Sequence, residues 1–483
     1  MNNENYRITI GLEVHVHLKT HTKIFCRCYN DYGSPPNTNI CPVCTGQPGT
    51  LPVLNGRAVN QALKAALALN FNINYTSVFS RKQYYYPDLP KNYQISQYKI
   101  PVAENGFLNV DGRKINITRA HLEEDAGKLI HGDRGKSMID YNRTGAPLLE
   151  IVSEPEIESP KEAGNYLRTL KRILKYCGVS DCDMEKGSLR CDANLSLKPV
   201  KDSSEKLGVK TEVKNMNSFK AVEKALAREA DRQAKLLDKG LPVKQETRLW
   251  EEGKETTLSM RSKEEAHDYR YFPDPDLPPL KVSKKQVKKL KQTIPELPES
   301  KKKRYMSEYG LSEYDCGVLT REKETADYFE EAVKYLKDKD FQIVKKLVNW
   351  ITVELTGKLN TESLGITESP VTPELIAELI DLIAGGTVSG KMAKKIFEIS
   401  WEKHKSPKKI VKDSGMEQIT STNKIEDLCR TALDKNPEIV KKYINGKEGV
   451  IGALVGSIMK QTKGQANPRK VNEKLKELLE NKK

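Results

Sequence analysis

Residues 7–18 constrain the fold more than any other part of the chain. Apolar side chains occupy every second position from Ile8 to Leu18, and the positions between them carry Thr9, Gly11, Glu13, His15 and His17. This period of two predicts a β-strand with one face in a hydrophobic core. The other face then presents a carboxylate beside two imidazoles, which are groups that bind metal ions.

Charge and hydropathy limit the partners and the environment of the chain. It contains 81 Lys and Arg against 66 Asp and Glu, a formal net charge of +15, which favours a polyanionic partner such as nucleic acid. A Lys-rich solvated surface explains the same excess without a partner. The apolar runs are shorter than the roughly 20 residues that span a bilayer, and the N-terminus does not have the pattern of a secretory signal. We therefore expect a cytoplasmic protein with no membrane segment.

The chain changes character twice along its 483 residues. Short strand-like segments, separated by Gly, Pro or Asn, accompany predicted helices at residues 57–69, 160–177 and 219–239. Beyond Pro295 the pattern is almost purely helical, and Pro407 marks a second break. An α+β fold is predicted: a mixed or antiparallel sheet domain over residues 1–293, a helical domain over 294–405 and a helical tail over 406–483.

Four of the nine cysteines lie close together near the N-terminus. Cys26 and Cys28 are one residue apart, and Cys41-Pro-Val-Cys44 follows after twelve residues. Four thiolates in this arrangement suit tetrahedral zinc and leave no open position for water or substrate. We predict a structural zinc site in the loop of residues 26–44; a chance cluster of buried cysteines is the alternative.

Several further strand-like segments carry carboxylates on a polar face. Their polar side chains are, in chain order, His121, Glu123, Glu124, Asp125, Glu150, Arg190, Asp192 and Asn194. Together with Glu13 and His15 they could line one concave surface that binds magnesium through carboxylates and substrate phosphates. For one strand alone, outward-facing polar residues are the simpler explanation, but four such faces favour the metal site.

One segment is a candidate for binding phosphate or nucleic acid. SRKQYYYPDLPKNYQISQY interleaves Arg81, Lys82 and Lys91 with five tyrosines. Cations beside aromatic faces can clamp a nucleotide or an RNA end, and a Tyr-rich packed loop is the alternative. Residues 385–391 match GxxxxGK, but Met392 replaces the Ser or Thr that would hold magnesium and a predicted helix precedes the motif, so we exclude a P-loop.

Eight longer blocks carry a family resemblance. They are IGLEVHVHL, RKQYYYPDLPKNYQISQY, HLEEDAGK, PLLEIVSEP, GSLRCDANLSL, EVKNMNSF, RSKEEAHDYRYFPDPDLPPL and LVGSIMKQTKGQANPRKVNEKL. These blocks resemble the B subunit of the tRNA-dependent aspartyl/glutamyl amidotransferases, and the similarity extends over essentially the whole chain. The resemblance implies a cradle-shaped N-terminal domain, a helical domain and a helical tail that binds tRNA, which agrees with the two predicted breaks.

The resemblance also implies an activity. Such a ligase phosphorylates the side-chain carboxylate of Glu or Asp mischarged on tRNA(Gln) or tRNA(Asn), using ATP and Mg²⁺, and then forms the amide with ammonia. The ammonia comes from the glutaminase of a partner amidase A subunit, and a small C subunit completes a heterotrimer. Nothing in this chain resembles a glutaminase. Whether Glu-tRNA(Gln), Asp-tRNA(Asn) or both are substrates is left open.

Residue roles follow from the same resemblance. It implies magnesium ligands at Glu13, His15, Glu124, Glu150 and Asp192, the first four of which would be catalytic. Asn194 lies nearby in this assignment, and Glu123, Asp125 and Glu154 are secondary candidates. We assign Arg81, Lys82 and Arg190 to the phosphates of ATP as a hypothesis. The cysteines match the zinc-containing branch of the family, in which zinc is structural. A second hypothesis treats the chain as a non-catalytic zinc-containing tRNA-binding protein whose carboxylates are structural.

Overall fold

The computed structural model describes residues 5–131, 136–204, 206–262, 269–419, 421–462 and 465–481. The chain divides into two compact units, Met1–Leu297 and Pro298–Lys483. The first contains a large sheet with helices, and the described part of the second is helical. This order confirms the predicted α+β fold. No described helix has the length and apolarity that crossing a membrane requires.

The first unit has sixteen strands among its described residues. They are β1 (Tyr6–His17), β2 (Asn72–Ile73), β3 (Thr76–Ser77), β4 (Phe79–Gln83), β5 (Tyr93–Gln97), β6 (Ala103–Val110), β7 (Arg113–Glu124), β8 (Lys128–His131), β9 (Ser137–Asp140), β10 (Pro147–Ser153), β11 (Leu189–Pro199), β12 (Thr211–Lys214), β13 (Glu246–Glu251), β14 (Thr256–Ser262), β15 (Phe272–Pro273) and β16 (Leu280–Lys281). Nine form one sheet in the order β14-β13-β12-β11-β1-β10-β7-β6-β2. Only β12 and β13 pair in parallel within the described sheet, so it is mixed, as predicted.

Four helices belong to this unit: α1 (Gly56–Ala68), α2 (Pro160–Tyr176), α3 (Phe219–Asp238) and α4 (Lys284–Gln292). The first three begin at Asn55, Ser159 and Ser218, whose side chains accept hydrogen bonds from first-turn amides. Pro160 occupies a first-turn position, where its missing N–H costs nothing. These local signals explain why the three predicted helices agree with the structure to within one residue at each end.

Strand β1 lies in the middle of the large sheet and has two unlike faces. Ile10, Leu12, Val14 and Val16 are fully buried in one hydrophobic core with residues of α1, α2 and α3. The alternate side chains, which include Glu13 and His15, are only partly buried. The helices therefore cover the apolar face, and the polar face predicted from the alternation is available for a site.

The second unit contains twelve α-helices in its described residues. They are α5 (Pro298–Tyr309), α6 (Glu313–Leu319), α7 (Lys323–Tyr335), α8 (Phe341–Asn349), α9 (Thr356–Glu362), α10 (Pro373–Ala384), α11 (Gly390–Lys403), α12 (Pro407–Ser414), α13 (Thr422–Lys435), α14 (Pro437–Ile444), α15 (Ile451–Gln461) and α16 (Pro468–Glu480). A π-helical segment, Trp350–Leu355, joins α8 to α9.

Two hydrophobic clusters stabilise this second unit. One extends from Tyr305 to Val411 and the other from Ile425 to Leu479. Helix α12 contributes Ile410 and Val411 to the first of them, although it lies beyond the predicted break at residues 405 and 406. The domain boundaries drawn from the sequence remain predictions, and this packing favours a tail that begins after α12.

Candidate active site

Four side chains on three adjacent strands form a compact cluster on the polar face of the large sheet. The pairing of β1, β10 and β7 aligns His15 with Glu150 and Glu150 with His121. His15 Nε2 lies 3.1 Å from Glu150 Oε2 and 3.7 Å from Glu123 Oε1. His121 Nε2 lies 3.4 Å from Glu150 and 3.7 Å from Glu123. Ligand atoms of His15, Glu123 and Glu150 all lie within 4.8 Å of one another, so this trio could hold a metal ion.

Proton affinities in this cluster reflect its negative charge. Burial alone would lower the pKa of His121, but Glu150 and Glu123 outweigh burial and raise it to about 9. The same carboxylates raise the pKa of His15 against the effect of burial. The pKa of Glu150 is well below its usual range because His121 and His15 outweigh the opposing effect of burial. The carboxylates of Glu123 and Glu150 therefore stabilise a positive charge placed between them, whether on an imidazole or on a metal ion.

A second polar group continues the same face toward β12. Asn194 Nδ2 donates to Glu13 Oε1 at 2.8 Å. Lys214 forms an ion pair with Asp192 and lies 3.3 Å from Glu212 Oε1. Burial would lower the pKa of Lys214, but Asp192 and Glu212 raise it, so its ammonium stays charged.

Both groups line one open cavity of about 680 Å³, a volume within the range of small-molecule sites. Its lining includes Glu13, His15, Lys82, His121, Glu123, Glu150, Asp192, Glu212, Lys214, Tyr98, Tyr269 and Tyr271. Lys82 Nζ lies 4.8 Å from the ring centroid of Tyr269, and the rings of Tyr98 and Tyr271 stack at 4.2 Å. The cavity thus combines carboxylates, ammonium groups and aromatic faces, which suits a polyphosphate accompanied by a divalent cation.

Glu124 lies apart from the other predicted magnesium ligands. Successive side chains of a strand point to opposite faces, and Glu124 forms an ion pair with Lys91 and accepts a hydrogen bond from the Ile95 amide at 2.9 Å. Both charged side chains are almost completely buried. The structure therefore brings Glu123, rather than Glu124, to His15 and Glu150.

Arg190 and His17 meet at a different carboxylate. Asp125 Oδ2 lies 2.7 Å from both His17 Nε2 and Arg190, and 3.3 Å from Arg143 Nε. Burial would raise the pKa of Asp125, but Arg190 and Arg143 hold it well below its usual range. His17, to which the resemblance gave no role, is thus a hydrogen-bond partner of Asp125, and Arg190 has an internal carboxylate partner.

Arg81 and Lys82 are adjacent in sequence but have different surroundings. Arg81 donates to Asp274 and Asp276, each at 2.8 Å, and its guanidinium lies over the ring of Tyr93. Lys82 faces the cavity, where burial would lower its pKa but Tyr271, Glu123 and Glu150 raise it. Of the predicted phosphate contacts, Lys82 alone is in the described lining of the cavity.

The four clustered cysteines come together as a possible metal site. The Sγ atoms of Cys26, Cys28, Cys41 and Cys44 all lie within 4.8 Å of one another. A hydrogen bond from Cys26 is the main reason that the pKa of Cys44 is lowered to about 4, and Lys23 Nζ lies 3.6 Å from its Sγ. A converging set of four thiols, one of them favouring the thiolate, fits tetrahedral zinc.

Comparisons with known proteins identify the family of the chain. A family described as "GatB/GatE catalytic domain" matches residues 8–288, and one described as "GatB domain" matches residues 327–479. The B subunit of the aspartyl/glutamyl-tRNA(Asn/Gln) amidotransferase of Carboxydothermus hydrogenoformans is 52% identical over 482 residues, which cover 98% of this chain and 99% of that protein. The chain belongs to this family of amidotransferase B subunits. Proteins with the same name from Thermodesulfovibrio yellowstonii and Persephonella marina are 51% and 50% identical, over 98% and 97% of this chain and 99% and 98% of their own lengths.

Some residues that line the cavity were not assigned from the sequence. Glu212 and Lys214 lie on β12, where they alternate with the fully buried residues Thr211 and Val213. That alternation was a usable signal, because it places both side chains on the face opposite the core. Tyr269 and Tyr271 lie in one of the blocks that carry the family resemblance, but the sequence around them has no regular period that would place them in a cavity.

Proposed function

We propose that this chain is the subunit that activates and amidates the side chain of Glu-tRNA(Gln), Asp-tRNA(Asn) or both. The observation that carries the proposal is the cavity in which the His15–Glu123–Glu150 cluster faces Lys82 and Lys214. Relatives that are about half identical over nearly their whole length are named as subunits of such an amidotransferase, and their names indicate the substrate.

Magnesium is the cation that we propose for the cavity. His15, Glu123 and Glu150 would hold one ion, and Glu13 and Asp192 add negative charge elsewhere in the same cavity. In this proposal Glu123 takes the position that the sequence assigned to Glu124. The ion would neutralise phosphate charge and help to align the reacting groups. Because one donor is an imidazole, the trio should also accept Mn²⁺, which is useful as a probe.

The proposed chemistry has two steps. An oxygen of the substrate carboxylate attacks the γ-phosphorus of ATP, and ADP leaves, which gives an acyl phosphate. Ammonia then attacks the acyl carbon, phosphate leaves, and the nitrogen loses a proton to give the amide. The first step is needed because a carboxylate oxygen is a poor leaving group, whereas phosphate leaves readily.

The residues of the chain contribute mainly positioning and charge to these steps. The ammonium of Lys82 has no carboxylate ion pair among the described residues, so it is available for phosphate oxygens entering the cavity. The stacked rings of Tyr98 and Tyr271 form one wall and would limit the access of water. A dry, pre-organised site strengthens each of these electrostatic contacts.

Other parts of the proposal concern partners and zinc. We propose that ammonia comes from a glutaminase A subunit and that a small C subunit completes the heterotrimer. Residues 406–483 contain 17 Lys and Arg against 10 Asp and Glu, a surplus that supports tRNA binding by the tail. The four cysteines would hold a structural zinc ion that stabilises their loop.

A product assay tests the proposed function. The chain, assembled with its A and C partners, is incubated with ATP, Mg²⁺, an ammonium salt and either Glu-tRNA(Gln) or Asp-tRNA(Asn). We expect Gln-tRNA(Gln), Asn-tRNA(Asn) or both, together with ADP. The variant E150Q should bind tRNA normally and form no amide.

A different result would favour the non-catalytic hypothesis. If tRNA binds but neither ADP nor amide forms with either substrate, the carboxylate cluster is structural. Normal amidation by E150Q would likewise remove the cluster from the reaction.

A further inference from the structure

Lys214 occupies a position that conflicts with a second divalent cation. Its ammonium forms an ion pair with Asp192 and lies 3.3 Å from Glu212 Oε1. Thr247 Oγ1 donates to the other oxygen of Glu212 at 2.9 Å, which fixes that carboxylate from the next strand. Asp192, which the sequence resemblance assigned to magnesium, thus already has a cation as its partner.

The surroundings of Lys214 are built to hold this cation. Asp192 comes from β11, whereas Glu212 and Lys214 come from the neighbouring strand β12. Glu13 adds a third carboxylate nearby, aligned with Asp192 by the pairing of β1 with β11. The summed negative charge of these carboxylates raises their affinity for any cation. Because the ammonium of Lys214 is part of the chain, it occupies this position at any concentration of free metal ion.

A divalent ion at Asp192 would be repelled by this ammonium. Like charges a few ångströms apart in a partly desolvated cavity disfavour each other strongly. The His15–Glu123–Glu150 cluster differs, since the groups beside its two carboxylates are the imidazoles of His15 and His121. An imidazole nitrogen can itself bind a metal ion, and among the described residues no Lys or Arg forms an ion pair with these carboxylates. The two ends of the cavity are therefore unequal, and only the histidine end is available to a metal ion.

We propose that Lys214 is an affinity-setting residue that limits the nucleotide-free cavity to one divalent cation, bound at His15, Glu123 and Glu150. Lys214 acts as the internal counter-ion of Asp192 and Glu212. This inference rests on the proposed metal-dependent function and specifies how many ions the chain binds before ATP arrives. Removing the ammonium should open the Asp192 end to a second ion.

Mn²⁺ titration of the assembled heterotrimer, followed by electron paramagnetic resonance without nucleotide, tests the inference. The wild type should bind one Mn²⁺ in the cavity. K214M, which keeps the length and apolar stem of the side chain, should bind a second Mn²⁺ at least about tenfold more tightly than the wild type does. K214R keeps the charge and should resemble the wild type.

A matched control separates this local effect from net charge. Lys198 lies on β11, as Asp192 does, but its partners are Ser204 and Asp202 rather than residues of the cavity. K198M removes the same charge and should leave Mn²⁺ binding unchanged. Thermal unfolding of each variant establishes that it is folded.

Several results would overturn the inference. One is that folded K214M binds the same number of Mn²⁺ ions as the wild type, with the same affinity. The others are that K214R binds a second ion, or that K198M gains as much Mn²⁺ affinity as K214M does. If K214M fails to fold, K214Q takes its place. K214Q should also bind a second Mn²⁺ ion more tightly than the wild type does, and Mn²⁺ binding equal to that of the wild type would contradict the inference. If the wild type forms no amide but the Mn²⁺ difference between wild type and K214M is found, the proposed function alone is rejected. If the wild type forms amide but the two proteins bind Mn²⁺ equally, the role of Lys214 alone is rejected.

Discussion

Glu123 and Glu124, which are adjacent on β7, allow a test of which carboxylate belongs to the cavity. Glu123 belongs to the trio proposed to bind metal, whereas Glu124 forms a buried ion pair with Lys91. Glutamine at either position removes one negative charge and keeps nearly the same shape. We therefore expect E123Q and E124Q to fail in different ways, although the two residues are adjacent.

E123Q should mainly weaken metal binding. It removes one charged oxygen donor from the trio, and changes to residues that merely support metal ligands already cost up to about 100-fold in metal affinity. A loss of at least about 100-fold in Mn²⁺ affinity is expected, equivalent to about 2.8 kcal/mol. Amide formation should fall with it, while tRNA binding should be unchanged.

E124Q should mainly lower the free energy of unfolding. The side chains of Glu124 and Lys91 are 2% and 8% exposed, so the variant leaves an ammonium without its counter-ion in the interior. Breaking a buried pair in this way costs about 3 to 5 kcal/mol, which urea denaturation followed by circular dichroism can measure. Mn²⁺ affinity in the folded variant should be nearly that of the wild type.

The two measurements together decide the placement of these residues. A large loss of Mn²⁺ affinity in folded E124Q, with little change in E123Q, would refute the assignment of Glu123 to the cavity. It would instead support the role that sequence resemblance implied for Glu124.

Three further predictions concern other parts of the chain. Replacing Cys44 by Ser should reduce the zinc content measured by atomic emission from one ion per chain, because a structural site needs four protein ligands; full zinc content in C44S would contradict the site. In the helical unit, E330Q should destabilise by about 1 to 3 kcal/mol, because Glu330 pairs with the nearly buried Lys301, whereas E331Q at the more exposed neighbouring position should change little. Burial alone would raise the pKa of Glu330, but the hydrogen bond from Lys301 helps to hold this pKa below its usual value. The ion pair therefore stabilises the fold fully above the pKa of an unfolded glutamate. The difference in stability between E330Q and wild type should disappear as the pH falls through the lower pKa of the folded protein. A chain that ends at Glu417 should bind tRNA at least about tenfold more weakly while Mn²⁺ binding persists, and equal tRNA affinity would defeat the assignment of the tail.

Much of the fold was predictable because its signals are local. The alternation in β1 indicates both the buried face and the polar face, since a strand exposes its side chains with a period of two. Asn55, Ser159 and Ser218 mark the starts of α1, α2 and α3 through hydrogen bonds made within the first turn.

The remaining site residues depend on contacts between distant parts of the chain. Strand alternation could have separated Glu123 from Glu124, because Glu123 shares a face with His121 and Glu124 does not. No local pattern, however, indicates that Lys91 is the partner of Glu124, or that Arg190 reaches Asp125 from 65 residues away. Both contacts follow from the tertiary packing of loops and strands.

The same reasoning applies to the domain boundary. Pro407 is a valid signal that a helix ends before it, but it also begins α12 as a first-turn residue. Helix α12 then packs Ile410 and Val411 into the preceding hydrophobic cluster. A break in secondary structure therefore does not have to coincide with a break in the core.

The most direct test of the central claim is the fate of an oxygen atom. The substrate tRNA is charged with glutamate or aspartate whose side-chain carboxylate carries ¹⁸O, and the inorganic phosphate formed during amidation is analysed by mass spectrometry. Phosphorylation of the carboxylate predicts that each amide formed transfers one labelled oxygen to phosphate. Unlabelled phosphate, released alongside normal amide formation, would show that the carboxylate is not activated by phosphoryl transfer.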